Sequence, residues 1–433
     1  MRILSVALIV FLTMSTVFDW DPGPMPGLSV KNALLYLLAT ALLFQYAVER
    51  RFVLQLPAIT WLFVALIGYA VLSYVAVVMA IQYPRYEVLY NAFALKNRHV
   101  DQLIFFLVFF YGMRASKDAQ FTLKCLLIAW AVSHAVALLD AVGLMQVGDI
   151  ERREDGRVQG AVGESNQYGA FVALSLPAFV AAAAAARGLW RVGWGLAALM
   201  TAATLVMTVS RGAFVAVIVA TFAGAFLFRR YLSAARIAAW AAGVGVAAVA
   251  VFVLVGLSYG DLLYERIVGG ASSDLGAVSS SRTEIWSKAL ATMWEHPITL
   301  LTGFGWNAYW SMPFRYSPHN YYLSQWFNLG LPGLICSVLL LVLPVRVARA
   351  AFASAAPWLR PTLAAFAIGT IAFAAATFFV DLYLPWLYYW AYAGLVLRMA
   401  VNAREAAGRP MPQAAAARAR RADPYGWIGA VRQ

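Results

Sequence analysis

The sequence predicts an all-α membrane protein with about twelve transmembrane helices. Its 433 residues are 63% hydrophobic and 12% charged, and the mean hydropathy is +0.72. A soluble globular chain carries about 25% charged residues. Apolar runs of about 20 residues recur along the chain, which is the length that a helix needs to cross a bilayer, and lipid admits only helices or closed barrels. The composition therefore excludes a soluble enzyme.

Twelve apolar runs are predicted to span the membrane. They cover residues 3–18, 29–48, 58–81, 100–113, 119–145, 168–186, 190–209, 211–228, 233–257, 321–344, 361–380 and 382–400. The first run has no small-x-small cleavage site after it, so we interpret it as a span and not as a signal peptide. The seventh and eighth runs together form one long apolar stretch, and its centre, Ser210-Arg211-Gly212, must therefore be a very tight turn.

The distribution of Lys and Arg predicts that both termini lie in the cytoplasm. The net charge of +13 would suggest nucleic acid in a soluble protein. Here the short connections assigned to the inner side are basic, as at Arg50-Arg51 and Arg229-Arg230, whereas the outer cations lie mostly in long segments.

This topology divides the chain into four parts. Residues 1–257 hold nine spans, with outer segments near 82–99 and 146–167. Residues 258–320 form a large outer loop, residues 321–400 hold three spans, and residues 401–433 form a basic cytoplasmic tail beside anionic lipid.

The large outer loop is expected to contain a small helical cap, because it has too many aromatic residues for a disordered segment. Its most helical part is Ser281 to Glu295. Apolar side chains recur there at helical spacing and predict a face that lies on the membrane or on the other loops. They are Ile285, Trp286, Ala289, Leu290 and Met293.

His319 is the first candidate catalytic residue. Ser317 is predicted as the N-cap of the next helix and Pro318 as its first residue, so that His319 and Asn320 fall in the first turn. The positive end of a helix dipole attracts anions and disfavours imidazolium, which would leave His319 neutral and able to act as a base. The alternative is an interfacial histidine with no chemical role.

Arginines of the outer segments are the second candidate site. A cation held close to the hydrocarbon boundary is costly unless it faces a cavity or an anion, which makes Arg211 in the tight turn the strongest candidate. Guanidinium groups bind phosphate bidentately. The alternative for each arginine is an extended side chain that contacts lipid head groups. The candidates are Arg152, Arg153, Arg157, Arg211, Arg266 and Arg282.

Several short motifs together resemble the O-antigen ligase and polymerase superfamily. They are Gly163-Glu164-Ser165-Asn166, Ser210-Arg211-Gly212-Ala213, Pro297 with Gly303-Phe304-Gly305, His319-Asn320-x-x-Leu323, and the pair Gly330 and Gly333. Size and loop placement are most similar to the O-antigen ligases of the WaaL type. Two positions depart from the pattern, since Asn328 stands where the family often has Glu, and Glu164 where it has Asn or Asp.

The resemblance implies a GT-C-like fold and a reaction. It would be the transfer of O-antigen polysaccharide from undecaprenyl diphosphate to the lipid A-core oligosaccharide, in lipopolysaccharide biosynthesis, on the periplasmic face of the bacterial inner membrane. By resemblance His319 is the general base, and Arg211 and Arg282 hold the diphosphate. Direct displacement then implies inversion at the anomeric carbon. Further binding candidates are Arg157, Arg266, Asn320 and Asn166.

Other chemistries find less support. We expect no metal, cofactor or nucleic-acid partner, because the sequence has no metal-ligand cluster and no nucleotide-binding motif. A paired-carboxylate glycosidase is the weakest alternative. The main ones are a polymerase of the same superfamily and a transporter, which should show ionisable residues at mid-membrane and two similar halves.

The remaining histidines and cysteines receive structural interpretations. His134 lies inside a span and is interpreted as a core residue, whereas His99 and His296 are interpreted as loop residues. Cys125 and Cys336 lie in apolar runs and are interpreted as packing residues.

Overall fold

The computed structural model describes residues 1–18, 20, 22, 29–49, 54–145, 157–160, 164–231, 282–313, 318–383 and 385–408. Within these ranges the regular structure is helical. The α-helices are α1 Arg2–Val17, α2 Val30–Glu49, α3 Pro57–Ala76, α4 Val88–Leu95, α5 Asp101–Tyr111, α6 Ser116–Ala141, α7 Ser165–Ala185, α8 Leu189–Met207, α9 Arg211–Phe228, α10 Arg282–Glu295, α11 Ile298–Thr302, α12 Tyr321–Phe352, α13 Arg360–Ala376 and α14 Pro385–Ala407.

Seven of the described helices are long and apolar enough to cross a membrane. They are α2, α3 with its π-helical extension Val77–Ile81, α6, α7, α8, α9 and α12. The helices α1 and α13 are apolar but shorter. The predicted span 233–257 and the predicted tail beyond residue 408 lie outside the described residues. The membrane character is confirmed, and the count of twelve spans stays a prediction.

Helix α14 lies at the centre of the described helices. Every residue from Pro385 to Ala400 is buried, as expected for a helix that is apolar or aromatic on all sides. Trp390 packs edge-on against Phe63 of α3, with ring centroids 4.6 Å apart. Further along, Arg398 donates to the carbonyl of Phe110 at 2.9 Å. The helix begins at the side of the protein where the candidate site lies.

The segment 82–99, which is predicted to lie on the outer side, is helical from Val88 onwards. Helix α4, a π-helical turn Lys96–Val100 and α5 follow one another without a break. His99 is therefore a helical residue and is only 2% exposed. Polar residues can continue this helix because they find partners, as Lys96 does with Asp101 at 2.9 Å. The interpretation of His99 as a loop residue is wrong, whereas His296 does lie between two helices.

The tight turn between α8 and α9 is confirmed. Helix α8 ends at Met207 and α9 begins at Arg211, so three residues connect them, and Val209 among them has a φ of 48°. Arg211 is the first helical residue and not the centre of the turn. Gly169 of α7 lies against this corner, since a Cβ there would be 3.1 Å from Ser210 Cβ. The first turns of α7 and α9 are thus neighbours.

Two glycines allow the outer loop to cross α12 at close range. Gly303 and Gly330 both have positive φ, at 75° and 62°. A Cβ on Gly303 would lie 2.4 Å from the carbonyl of Asn328, and one on Gly330 would lie 2.2 Å from the carbonyl of Leu301. Helix α12 is kinked at Gly330, where the backbone leaves the helical region. Gly303 and Gly330 are therefore needed because the backbone of the outer loop packs directly against the backbone of α12.

The predicted helix in the large loop is present as α10, and its apolar face packs as expected. Ala289 and Met293 are fully buried, and Trp286 and Leu290 pack beside them against Phe304 and other aromatic residues. The face lies on the outer loop and on the start of α12. The rest of the loop before Arg282 lies outside the described residues.

His134 is a core residue, as predicted. It is fully buried in α6, and its two ring nitrogens are hydrogen bonded to the hydroxyls of Tyr168 and Ser175, both at 2.8 Å. The two cysteines are free and half-buried.

Candidate active site

Asn166 is the centre of a hydrogen-bond network at the first turn of α7. Its Oδ1 accepts from Arg157 Nη2 and from Ser210 Oγ, each at 3.1 Å, and its Nδ2 donates to Glu164 Oε1 at 2.7 Å. One amide therefore joins the segment before α7 to the corner before α9. We call Arg157, Glu164, Asn166, Ser210, Arg211 and Arg282 the arginine network.

Arg157 is the most firmly held cation of the network. It is 6% exposed, and its Nε donates to the carbonyl of Thr208 at 2.9 Å. The backbone of Val158 donates to the carbonyl of Met207 at 3.2 Å, so the short segment 157–160 lies along the end of α8. A buried guanidinium in such a position is already desolvated and oriented for an anion.

Two helix N-termini open into the same network. Glu164 caps α7, and its carboxylate accepts from the backbone N–H of Asn166 at 3.1 Å and of Gln167 at 2.8 Å. Ser210 caps α9 through the backbone N–H of Ala213. Glu164 thus performs the N-capping role for which Asn and Asp are preferred in most helices. Both helices direct the positive ends of their dipoles to this place.

Arg282 and Arg211 are close enough for their charges to interact. Burial is the largest cause that lowers the pKa of the Arg282 guanidinium, the Glu164 carboxylate opposes this change, and Arg211 adds to it. Three guanidinium groups and one carboxylate give the network a net positive charge. An anion bound between them would relieve the repulsion between Arg211 and Arg282.

His319 lies one residue before the N-cap of α12 and not in the first turn of the helix. Asn320 is the N-cap of α12, because its Oδ1 accepts from the backbone N–H of Leu323 at 3.0 Å. His319 has a φ of 45°, in the left-handed region that His adopts more readily than most residues. The predicted start, with Ser317 as N-cap and Pro318 as the first helical residue, is therefore wrong. Asn is a favoured N-cap residue, and Asn320 sets the start of the helix at Tyr321. Ser317 lies outside the described residues.

Helix α10 connects the arginine network with the histidine. Trp286 follows Arg282 by four residues and therefore lies on the same face of the helix. Its indole N–H donates to the carbonyl of Pro318, the residue before His319, at 2.6 Å. One helix thus positions both Arg282 and the backbone that carries His319.

The connection between α13 and α14, residues 377–383, touches each part of the site. The carbonyl of Thr377 accepts from the backbone N–H of Tyr321 at 2.9 Å, and the ring of Phe378 lies 5.5 Å from that of Trp286. The backbone N–H of Tyr383 donates to Gln167 Oε1 at 3.1 Å. Sequence reasoning missed this segment, because the predicted spans 361–380 and 382–400 include all of it except residue 381.

Asp381 is a buried carboxylate in this connection that the sequence analysis did not select as a candidate. It is 7% exposed, and its negative charge raises the pKa of the nearby Tyr309 phenol, for which burial is the larger cause. Its position between two apolar runs was the feature of the sequence that could have identified it as a candidate site residue. An ionisable group at such a place is costly and therefore marks a functional position by default.

Other predicted residues have different positions. Arg152, Arg153 and Arg266 lie outside the described residues. Asn320 is 4% exposed and uses its side-chain carbonyl as a cap, and Asn328 uses its own to accept from the backbone N–H of Tyr309 at 3.0 Å. Asn328 therefore holds the outer loop. Glu284 is exposed and paired with Lys288 at 2.7 Å.

The fold and the site define a helical membrane protein with a cluster of arginines that α10 links to the backbone before a histidine. Residues 195–338 match the family model described as O-antigen ligase. This match to about a third of the chain confirms the resemblance to the O-antigen ligase and polymerase superfamily. No curated protein gave a significant match. The matched residues include Arg211, Arg282 and His319, whereas Arg157 and Asp381 lie outside them.

Proposed function

We propose that the protein is an O-antigen ligase of the bacterial inner membrane, with its site on the periplasmic face and both termini in the cytoplasm. It would transfer O-antigen polysaccharide from undecaprenyl diphosphate to the lipid A-core oligosaccharide. The observation that carries the proposal is that α10 positions Arg282 in the arginine network and also holds the backbone beside His319. This arrangement supports an anion site and a base that lie close together.

The donor diphosphate would bind in the arginine network. Arg211 and Arg282 provide the principal contacts, with Arg157, Asn166 and Asn320 as further candidates and Arg266 as a candidate outside the described residues. The diphosphate is a good leaving group, so the protein must chiefly position it and neutralise the charge that develops on it. Arginine suits this role since its planar group binds two phosphate oxygens at once.

The chemical step would be a direct displacement. The acceptor hydroxyl oxygen forms a bond with the anomeric carbon, and the bond from that carbon to the diphosphate oxygen breaks. The electron pair leaves with the diphosphate, and the hydroxyl proton passes to His319. The configuration at the anomeric carbon is inverted. No metal ion takes part in this scheme, so transfer should persist in excess EDTA.

The reaction can be tested with purified protein, a lipid-diphosphate-linked polysaccharide and a core oligosaccharide acceptor. A ligase joins the polymer to the core acceptor, and a polymerase instead lengthens the lipid-linked chain. Formation of the first product alone supports the proposal, and formation of the second alone assigns the other activity of the superfamily. Binding of donor with no new covalent product would indicate a transporter. Loss of transfer in EDTA that a divalent ion restores would contradict the metal-free scheme.

The orientation can be tested separately on α10. In a chain with Cys125→Ser and Cys336→Ser, the exposed Lys288 is replaced by cysteine. We expect Lys288→Cys to react with a membrane-impermeant maleimide once the outer membrane of intact cells is permeabilised. Reaction only after lysis of the inner membrane would place α10 on the cytoplasmic side and invert the topology.

A further inference from the structure

A small polar cavity lies beside the arginine network, at the point where α14 begins. It has a volume of about 20 Å³ and is bounded by the π-helical turn before α5, the first turns of α12 and the 377–383 connection. We call it the Gln325 pocket. Its walls include Arg98, His99, Gln102, Gln325, Tyr383 and Trp386. A volume of this size accommodates one water molecule or one hydroxyl group.

Among the side chains that line the pocket, two neutral ones have a buried polar atom with no hydrogen-bond partner among the described residues, and the Asp381 carboxylate lies in the same wall. The two atoms are His99 Nε2 and Gln325 Oε1, on side chains that are 2% and 7% exposed. A buried polar atom left without a partner costs about 1 to 3 kcal/mol. Such atoms are rare in folded proteins and call for an explanation. Here two of them line one cavity.

Two further polar walls of the pocket, Arg98 and Gln102, already have partners. Arg98 donates to Asn307 Oδ1 at 3.1 Å and lies 4.4 Å from the ring centre of Tyr383. Gln102 Oε1 accepts from Trp390 Nε1 at 3.0 Å. These bonds fix the walls. The groups that can meet a ligand include an acceptor on Gln325 and a ring nitrogen on His99, which donates when it carries the proton, beside the Asp381 carboxylate.

We propose that the Gln325 pocket binds one hydroxyl group of a sugar, belonging either to the donor or to the acceptor. The hydroxyl oxygen accepts from His99 Nε2–H, and the hydroxyl hydrogen is donated to Gln325 Oε1. A hydroxyl is the group that satisfies both atoms within so small a volume. The inference rests on the proposed transfer of sugars, and it adds a determinant of which sugar is accepted.

The position of the pocket supports this assignment. Tyr383 is a wall of the pocket, and its backbone N–H donates to Gln167, which follows Asn166 of the arginine network. A sugar attached to a bound diphosphate, or an acceptor sugar approaching it, therefore lies next to the pocket. A site that hydrogen-bonds a substrate hydroxyl rejects the analogue without it, because its own polar atoms are then left unpaired.

The test combines two variants with deoxy analogues of both substrates. Gln325→Leu removes the acceptor at similar volume, and His99→Phe removes the nitrogen but retains a ring beside Trp306, whose centroid is 4.9 Å from that of His99. Gln45→Leu on α2, where the side chain bonds to Glu49 at the surface, is the matched control. Affinity and kcat/KM are measured for each protein with each analogue, and folding is checked by thermal unfolding.

In the unmodified protein, loss of the recognised hydroxyl should reduce affinity or kcat/KM by about tenfold or more. In Gln325→Leu and His99→Phe the same loss should have almost no effect, while Gln45→Leu behaves like the unmodified protein. If the donor analogues show this dependence on Gln325 and His99, the bound sugar belongs to the donor, and if the acceptor analogues show it, the sugar belongs to the acceptor. If both variants respond to every analogue as the unmodified protein does, the pocket holds only water and the inference is wrong. Binding that shows the coupling without any transfer would leave the pocket standing and remove the proposed reaction.

Discussion

The arginine network and the turn at His319 are neighbours that the protein holds in different ways. Arg157, Asn166 and Ser210 are joined through side-chain hydrogen bonds of about the usual length. His319 is placed by backbone conformation, with a φ of 45°, between a buried proline and a capping asparagine. Substitutions in the network are therefore expected to alter both binding and folding, whereas the stability of the turn should depend on how readily the residue at position 319 adopts positive φ.

The largest effect is expected for the base. His319→Ala should reduce turnover by about 10²- to 10⁴-fold, equivalent to about 3 to 5 kcal/mol, because the acceptor proton loses its destination. Donor affinity should remain close to that of the unmodified protein. His296→Ala, an exposed histidine between α10 and α11, is the control and should retain activity. The measurement is single-turnover transfer together with donor binding. Substantial turnover in His319→Ala would end the general-base assignment.

The next effect concerns Arg282. Arg282→Ala should weaken donor binding by about 10- to 100-fold, because a hydrogen bond to a charged group contributes about 1.5 to 3 kcal/mol. Arg282→Lys should recover only part of this, since an ammonium group is a point charge and cannot bind bidentately. Lys288→Ala removes the same charge from an exposed position of the same helix and is the control. If Arg282→Ala and Lys288→Ala lose the same donor affinity, Arg282 contributes only to the overall positive charge and does not contact the diphosphate directly.

A smaller effect that combines folding and binding is expected for Asn166. Asn166→Ala removes the acceptor for Arg157 Nη2 and Ser210 Oγ and should lower stability by about 1 to 3 kcal/mol. Donor affinity should fall as well, because Arg157 is no longer oriented. Asn402→Ala removes three bonds from the opposite end of α14, to Arg114, Ser116 and Arg398, and should lower stability without changing donor affinity. Thermal unfolding and donor titration of both variants make the comparison. Unchanged donor affinity in Asn166→Ala would confine the network to a structural role.

The smallest effect tests the backbone of the His319 turn. His319→Gly and His319→Ala remove the same imidazole, so both should lose turnover equally. Glycine adopts positive φ freely, whereas alanine does not, and His319→Ala should therefore be about 1 kcal/mol less stable than His319→Gly. His319→Asn should resemble the glycine variant in stability. Unfolding in detergent measures the difference. Equal stability of the glycine and alanine variants would mean that the left-handed conformation does not hold this turn.

The local chemistry of the sequence was sufficient for several predictions. The membrane class, α7 to α9, the helix α10 with its buried Ala289 and Met293, and the tight turn before Arg211 all follow from periodicity and composition. These features depend on residues close together in the chain, where hydropathy and helical spacing act directly. Helix ends were harder, because Asn320 and Pro318 offered competing start signals and only the bond to Leu323 shows which of them caps the helix.

The sequence by itself determined the chemical types of the site, namely several outer arginines and one histidine before an apolar run. Only the tertiary structure decided which of them share one place. Asn166 joins Arg157 to Ser210 because α7 and α9 begin side by side, and α10 carries Arg282 while its Trp286 holds the backbone before His319. The 377–383 connection and the Gln325 pocket are likewise built from segments far apart in the chain. Such contacts depend on the packing of whole helices, and no pattern within one segment records them.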